Sequence, residues 1–285
     1  MLLLCAILWG SSYGIQALMS QTVGNYTIIF LKTCSGFFLV GYCLLTNKCF
    51  NKKTISAGIL IGLCNGTGLL LQQYALSTAN VSKVSFISGL YIIFVPILSI
   101  FILKVKPKIR FWFAVVIACF GMYFLCVGER FVIEIGDIIT LIATIFFALQ
   151  IIFIHKYSDG VDTIAFCGIQ QMIVATMCLP LMLIIDKPTV LDFKQIIFQA
   201  LFMMIGAGTI AQLLQNTYQK QVDATLATLI MSLESVFGAI SGVVFLNARL
   251  TPIEVFGCIL IFISIIVAEN QKGFDLFKKI KIWRD

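Results

Sequence analysis

Between Ala224 and Leu246 the chain reads ATLATLIMSLESVFGAISGVVFL, and Glu234 is the sole charged residue in it. At about 1.5 Å per residue, a helix of this length crosses the roughly 30 Å hydrocarbon core of a bilayer. Backbone amides in hydrocarbon must pair within their own segment, so a lone stretch of this kind is helical. Glu234 falls about 15 Å along it, near mid-membrane. A carboxylate at that depth costs about 2.5–3.5 kcal/mol on insertion scales, so it is expected to face protein or water and not lipid.

The rest of the chain is built in the same way. Of its 285 residues 60% are hydrophobic and 12% charged, with mean hydropathy +1.03, which excludes an ordinary soluble domain. Apolar runs predict ten spans, over 2–19, 27–47, 55–76, 84–103, 110–128, 135–155, 163–185, 195–217, 224–246 and 252–269. The opening MLLLCAILWGSSYG lacks the basic start of a signal peptide and reads as the first span. Joining loops are short, so any chemistry falls inside the bundle. Ten cysteines occur without metal-like spacing and read as small buried hydrophobes, and the single His155 argues against a His-rich metal site. No nucleotide-binding loop, paired catalytic carboxylates or Ser-His-Asp set is present. The sequence therefore predicts no enzyme, no cofactor, no metal and no nucleic-acid partner.

The net charge of +7 is spread along alternate loops. With the N-terminus inside, fourteen Lys and Arg fall in inner segments, five in outer ones, and Lys32 within a span. That bias places both termini in the cytoplasm of a multi-pass protein of the cell membrane.

The helix around Glu234 has a partner in the chain. At an offset of 143 residues, 69–103 matches 212–246 at eight positions: Leu70/Leu213, Leu71/Leu214, Gln72/Gln215, Ile87/Ile230, Leu90/Leu233, Phe94/Phe237, Ile97/Ile240 and Leu103/Leu246. Gln72/Gln215 is the least expected match in apolar company, and Tyr91 falls opposite Glu234. The chain thus reads as an all-α membrane protein, ten transmembrane helices as two inverted five-helix repeats, 1–130 and 131–270, followed by a basic cytoplasmic tail, 271–285. An odd number of spans per repeat inverts the second half, the arrangement of secondary transporters with a site between the halves.

Several residues are candidates for that site. Glu234 reads either as a substrate-facing, proton-sensitive carboxylate or as a structural group bonded at a helix break. Lys32, about 8 Å deep, either snorkels to the outer headgroups, forms a structural pair, or meets substrate. Gln72 and Gln215 are either interhelical glue or cavity lining. With Trp9, Tyr13 and Tyr91 they would line a polar, aromatic cavity suited to neutral or zwitterionic metabolites. Glycine ridges at Gly10/Gly14, Gly58/Gly62/Gly66 and Gly238/Gly242 are read as helix packing within one chain. The tail QKGFDLFKKIKIWRD reads as an amphipathic helix on the inner leaflet or as a disordered basic tail.

WGSSYG at 9–14, the F-x-K of Phe30–Lys32, SKVSFISGLYIIFVPILS at 82–99, ATLIMSLESVF at 227–237 and LTPIEVFGCILI at 250–261 resemble an EamA-type transporter of the drug/metabolite transporter superfamily. The resemblance covers nearly the whole chain. It departs from the family pattern at Ser235, where Pro is usual, at Lys32, where Arg is frequent, and at Ala248, where an acidic residue is frequent. The resemblance implies secondary transport, with export of small organic metabolites such as amino acids as the expected activity. With no ATPase motif in the chain, coupling is either to an ion gradient, such as a proton gradient, or absent. The alternative is a non-transporting polytopic membrane subunit or sensor.

Overall fold

The computed structural model describes residues 1–46, 50–76, 84, 87–126, 134–247 and 249–269. Among them the regular structure is helical throughout. Seven helices have the length and apolarity to cross a membrane: α1 (Leu2–Met19), α2 (Asn25–Leu45), α3 (Lys52–Ala75), α6 (Ile135–Tyr157), α7 (Thr163–Asp186), α8 (Ile197–Gln221) and α9 (Ala224–Leu246). Three apolar helices are shorter, namely α4 (Ile87–Ile102), α5 (Ile109–Phe124) and α10 (Pro252–Ala268). The seven long helices coincide with expected spans to within a few residues at each end. The three shorter ones overlap the remaining expected spans without reaching spanning length among the described residues. The basic tail lies outside the described residues.

Helix starts follow local chemistry. The Asp162 carboxylate accepts from the Ile164 and Ala165 amides at 3.0 and 2.9 Å and opens α7. Thr251 and Glu254 bond reciprocally ahead of α10, and Asn51 Oδ1 takes the Thr54 amide at 2.7 Å in α3. The start of α2 is capped from afar. Asp186, which ends α7, accepts from both the Thr27 amide and its hydroxyl, at 2.6 and 2.8 Å. Lys187 and Asn247, both left-handed at φ 48° and 52°, end α7 and α9.

Several helices are broken inside their apolar runs. α2 is interrupted at Cys34, α4 at Leu90 and α9 at Ser232. In α8 the stretch Phe202–Ile210 is π-helical, a form that interrupts the regular ladder and recurs at functional sites.

The helices meet through small residues. A Cβ on Gly10 would press on the Glu234 carbonyl oxygen at 2.6 Å, and one on Gly14 on the Ser241 carbonyl at 2.9 Å, so α1 lies backbone to backbone on α9. Ser241 Oγ donates to the Gly10 carbonyl and accepts from the Gly14 amide, at 3.2 and 3.1 Å. Gly58 and Gly62 of α3 seat Ile169, Gln170 and Ile173 of α7. These ridges therefore serve packing within the chain, as expected. The most extensive contacts are α2 with α7, α1 with α9, and α5 with α10. Large apolar side chains cover the outside, with Leu45 87% and Phe38 71% exposed. A surface of this kind is stable only against lipid.

Candidate functional site

The breaks in α2, α8 and α9 bring one polar group together. Glu234 lies in the first turn after the α9 break, and Tyr91 faces it from α4. The buried Tyr91 hydroxyl donates to Glu234 Oε1 at 3.4 Å. Lys32, two residues before the α2 break, attracts Glu234 electrostatically without closing to a contact ion pair.

Trp9 of α1 fixes the other wall. Its indole N–H donates to the Ala207 carbonyl, inside the π-helical stretch of α8, at 2.9 Å. Lys32 Nζ lies 6.0 Å from the Trp9 ring centroid, at the outer limit of a cation–π contact. One turn along α1, Cys5 donates to the Ala211 carbonyl at 3.3 Å, and its thiol is within electrostatic reach of both Lys32 and Glu234. Tyr13 packs on Gly238 of α9 and is 48% exposed. Gly208 lets α8 come this close to α2, because a Cβ there would run into the Lys32 carbonyl oxygen. The Gln171 side chain bridges the same junction. Its amide donates to the Gly208 carbonyl at 2.8 Å, and its oxygen accepts from Ser35.

Of the sequence candidates, Trp9, Lys32, Tyr91 and Glu234 therefore converge, with Tyr13 at their edge. Gln72 and Gln215 do not hydrogen-bond to this group. Gln72 Nε2 donates to Ser88 Oγ at 2.7 Å, and Gln215 Nε2 to the Met231 sulfur at 3.8 Å. Both bonds span 16 residues, and both residues of the second pair are the first pair shifted by 143. Gln215 also accepts from Gln212, which in turn bonds Gln170, giving a buried amide cluster between α7 and α8. Cys5 is a neighbour of the site that no sequence signal marked, since it looks like every other cysteine in an apolar run. Among the described residues, no group of three or more His, Cys, Asp or Glu is arranged to hold a metal.

An apolar-coated helical bundle with an interior carboxylate and ammonium is a multi-pass membrane protein with a polar interior site. A family model for the EamA-like transporter family matches residues 1–127 and again 134–269. The chain belongs to this family and is a membrane transporter. It is 27% identical over 271 residues to an uncharacterized transporter of Archaeoglobus fulgidus, covering 93% of this chain and 83% of the relative. A solved crystal structure shares the fold at TM-score 0.77 with 14% identity, covering 94% of this chain and 96% of that one.

Proposed function

We propose that the protein is a secondary transporter that exports small organic metabolites such as amino acids across the cell membrane by alternating access. Its ten helices act as two inverted five-helix repeats, with both termini cytoplasmic. The reading is supported by the double match of the family model, once to each half. Helix neighbours point the same way: α1 lies on α9 as α6 does on α4, and α3 on α6 as α8 does on α1.

The observation that carries the reading is the Tyr91–Glu234 hydrogen bond, which joins two positions 143 residues apart, the offset of the repeat itself. Equivalent positions of a two-fold pair touch only on the axis. A group on the axis stays between the halves as they rock, which is where an alternating-access site belongs. Lys32 and Glu234, opposite in charge and not in contact, suit the carboxylate and ammonium of a zwitterion. Trp9, Tyr13 and Tyr91 supply aromatic walls, and a proton gradient acts through Glu234.

Counterflow of radiolabelled amino acids in proteoliposomes tests this. Wild type should exchange at least one of them, and Glu234→Gln should insert normally and lose most exchange, with its pH dependence flattened. Wild-type rates in that variant at every pH would leave Glu234 a structural residue.

A further inference from the structure

At the end of the bundle that carries most of the Lys and Arg, away from the Lys32–Glu234 group, lies a cavity of roughly 590 Å³. It is lined by Arg110, His155, Lys220, Gln221, Val222, Asp223 and Leu226. Three separate elements supply its basic groups. Arg110 opens α5 and is only 6% exposed. His155 sits in the last turn of α6, with Nδ1 buried and without a hydrogen-bond partner. Lys220 ends α8, where it meets Asp159 Oδ1 at 3.1 Å and the Ser158 carbonyl at 3.4 Å.

The fourth contribution is backbone. α9 begins at the same cavity, and Asp223, its N-cap residue, makes no side-chain hydrogen bond to the first turn. The leading amides of α9 are thus not satisfied by their own cap, and a helix start in that condition favours an anion. A carboxylate in that position usually accepts those amides.

The geometry points to an oxyanion-binding site here, one that takes a phosphate group through Arg110, Lys220, His155 and the first turn of α9. The cavity lies in the range of small-ligand pockets, which suits a phosphate with part of the molecule that carries it. Arg binds such groups in a fork, and Lys as a point charge. Asp223 opposes the charge of the ligand and tunes the site to moderate affinity. A free phosphorylated molecule and an anionic phospholipid headgroup carry the same chemistry, and basic pockets between helices at a membrane surface take the latter. The cavity shares no lining residue with the Lys32–Glu234 group.

The test uses the full chain in detergent at low salt, followed by thermal unfolding. Pyrophosphate is titrated against chloride at matched ionic strength, and short-chain phosphatidylglycerol against phosphatidylcholine. Pyrophosphate, phosphatidylglycerol or both should raise the unfolding temperature saturably. Stabilisation by pyrophosphate alone identifies a soluble ligand, and stabilisation by phosphatidylglycerol alone identifies a lipid. Arg110→Gln should weaken the effective ligand about tenfold, equivalent to one charged hydrogen bond. Lys220→Gln should weaken it roughly threefold and Asp223→Asn should strengthen it roughly threefold, as expected for charges near a partly solvated ligand. Lys194→Gln, outside the cavity, should change nothing. If Arg110→Gln does not fold, the opposite shifts in Lys220→Gln and Asp223→Asn decide the matter. No stabilisation by either ligand, or wild-type affinity in Lys220→Gln and Asp223→Asn, overturns the site.

Discussion

The two halves build the same contacts with different chemistry. In the first half Gln72 bonds Ser88, and Tyr91 follows one turn later. In the second half Gln215 meets the Met231 sulfur, and Glu234 follows one turn later. Spacing and hydrogen-bond reach are retained, while a hydroxyl has given way to a thioether and a phenol to a carboxylate. In the proposed repeat, the scaffold keeps the two-fold relation while the site does not. The carboxylate sits in one half alone, and the facing half contributes the hydroxyl donor. In the proposed cycle, one carboxylate on the axis would serve both faces of the membrane.

The largest effect expected is all-or-none and concerns whether the halves are inverted at all. A reporter active only in the cytoplasm should give signal when fused after Lys53 or Lys108, and none after Val23 or at Pro188. Signal at Pro188 would give the second half the wrong orientation and end the comparison.

The next prediction exchanges the two axial residues. Glu234→Tyr alone should reduce counterflow at least tenfold, because it removes the carboxylate. Adding Tyr91→Glu restores the same pair in mirrored order, and should recover a measurable part of the rate. Lys32 lies on one side of the axis, so recovery will be incomplete. A double variant no more active than Glu234→Tyr would show that the carboxylate must project from α9, and the symmetry would then be architectural only.

Much of this fold was legible in the sequence because the bilayer imposes it. Spans need about 20 apolar residues, and the observed helices follow the apolar runs closely. The equivalence of Tyr91 and Glu234 was also legible, through the offset of 143, but not the hydrogen bond between them. The breaks were not. A run that is apolar on all sides has no face, so neither the interruption at Ser232 nor the π-helical stretch of α8 leaves a periodic trace. Gly208 escaped notice because it is not part of a four-residue ridge, although it is the residue that admits the Lys32 backbone. The Arg110–His155–Lys220 cavity draws on three joints far apart in the chain, and their charges read only as a topological bias.

Gly208 gives the third prediction. Gly208→Ala places a methyl against the Lys32 carbonyl oxygen, backbone that cannot swing aside, and overpacking of this kind costs about 1–3 kcal/mol. The unfolding temperature in detergent should fall clearly, and substrate exchange should fall with it as α8 moves off Trp9 and Lys32. Gly41→Ala, where a Cβ meets nothing within 4 Å, should leave both unchanged. Equal behaviour of the two variants would remove Gly208 from the construction of the site.

The smallest effects should separate the two amides. Gln215 is buried, and its oxygen accepts from Gln212, so Gln215→Leu strands a buried donor that already serves Gln170. Loss of one buried partner costs about 1–3 kcal/mol when the other group cannot reach water. Gln72 is only half-buried, and Ser88 is the acceptor of its bond, so Gln72→Leu leaves a hydroxyl that can rotate to a new partner. Its cost should be nearer 0.5–1.5 kcal/mol, the net worth of an ordinary hydrogen bond. The unfolding temperature should therefore fall more for Gln215→Leu than for Gln72→Leu, with substrate affinity preserved in the folded fraction of both. A loss of affinity without a loss of stability in either variant would make that amide part of the cavity wall. An equal loss of stability in both would mean that the two halves share the energetics of their bonds as well as the spacing.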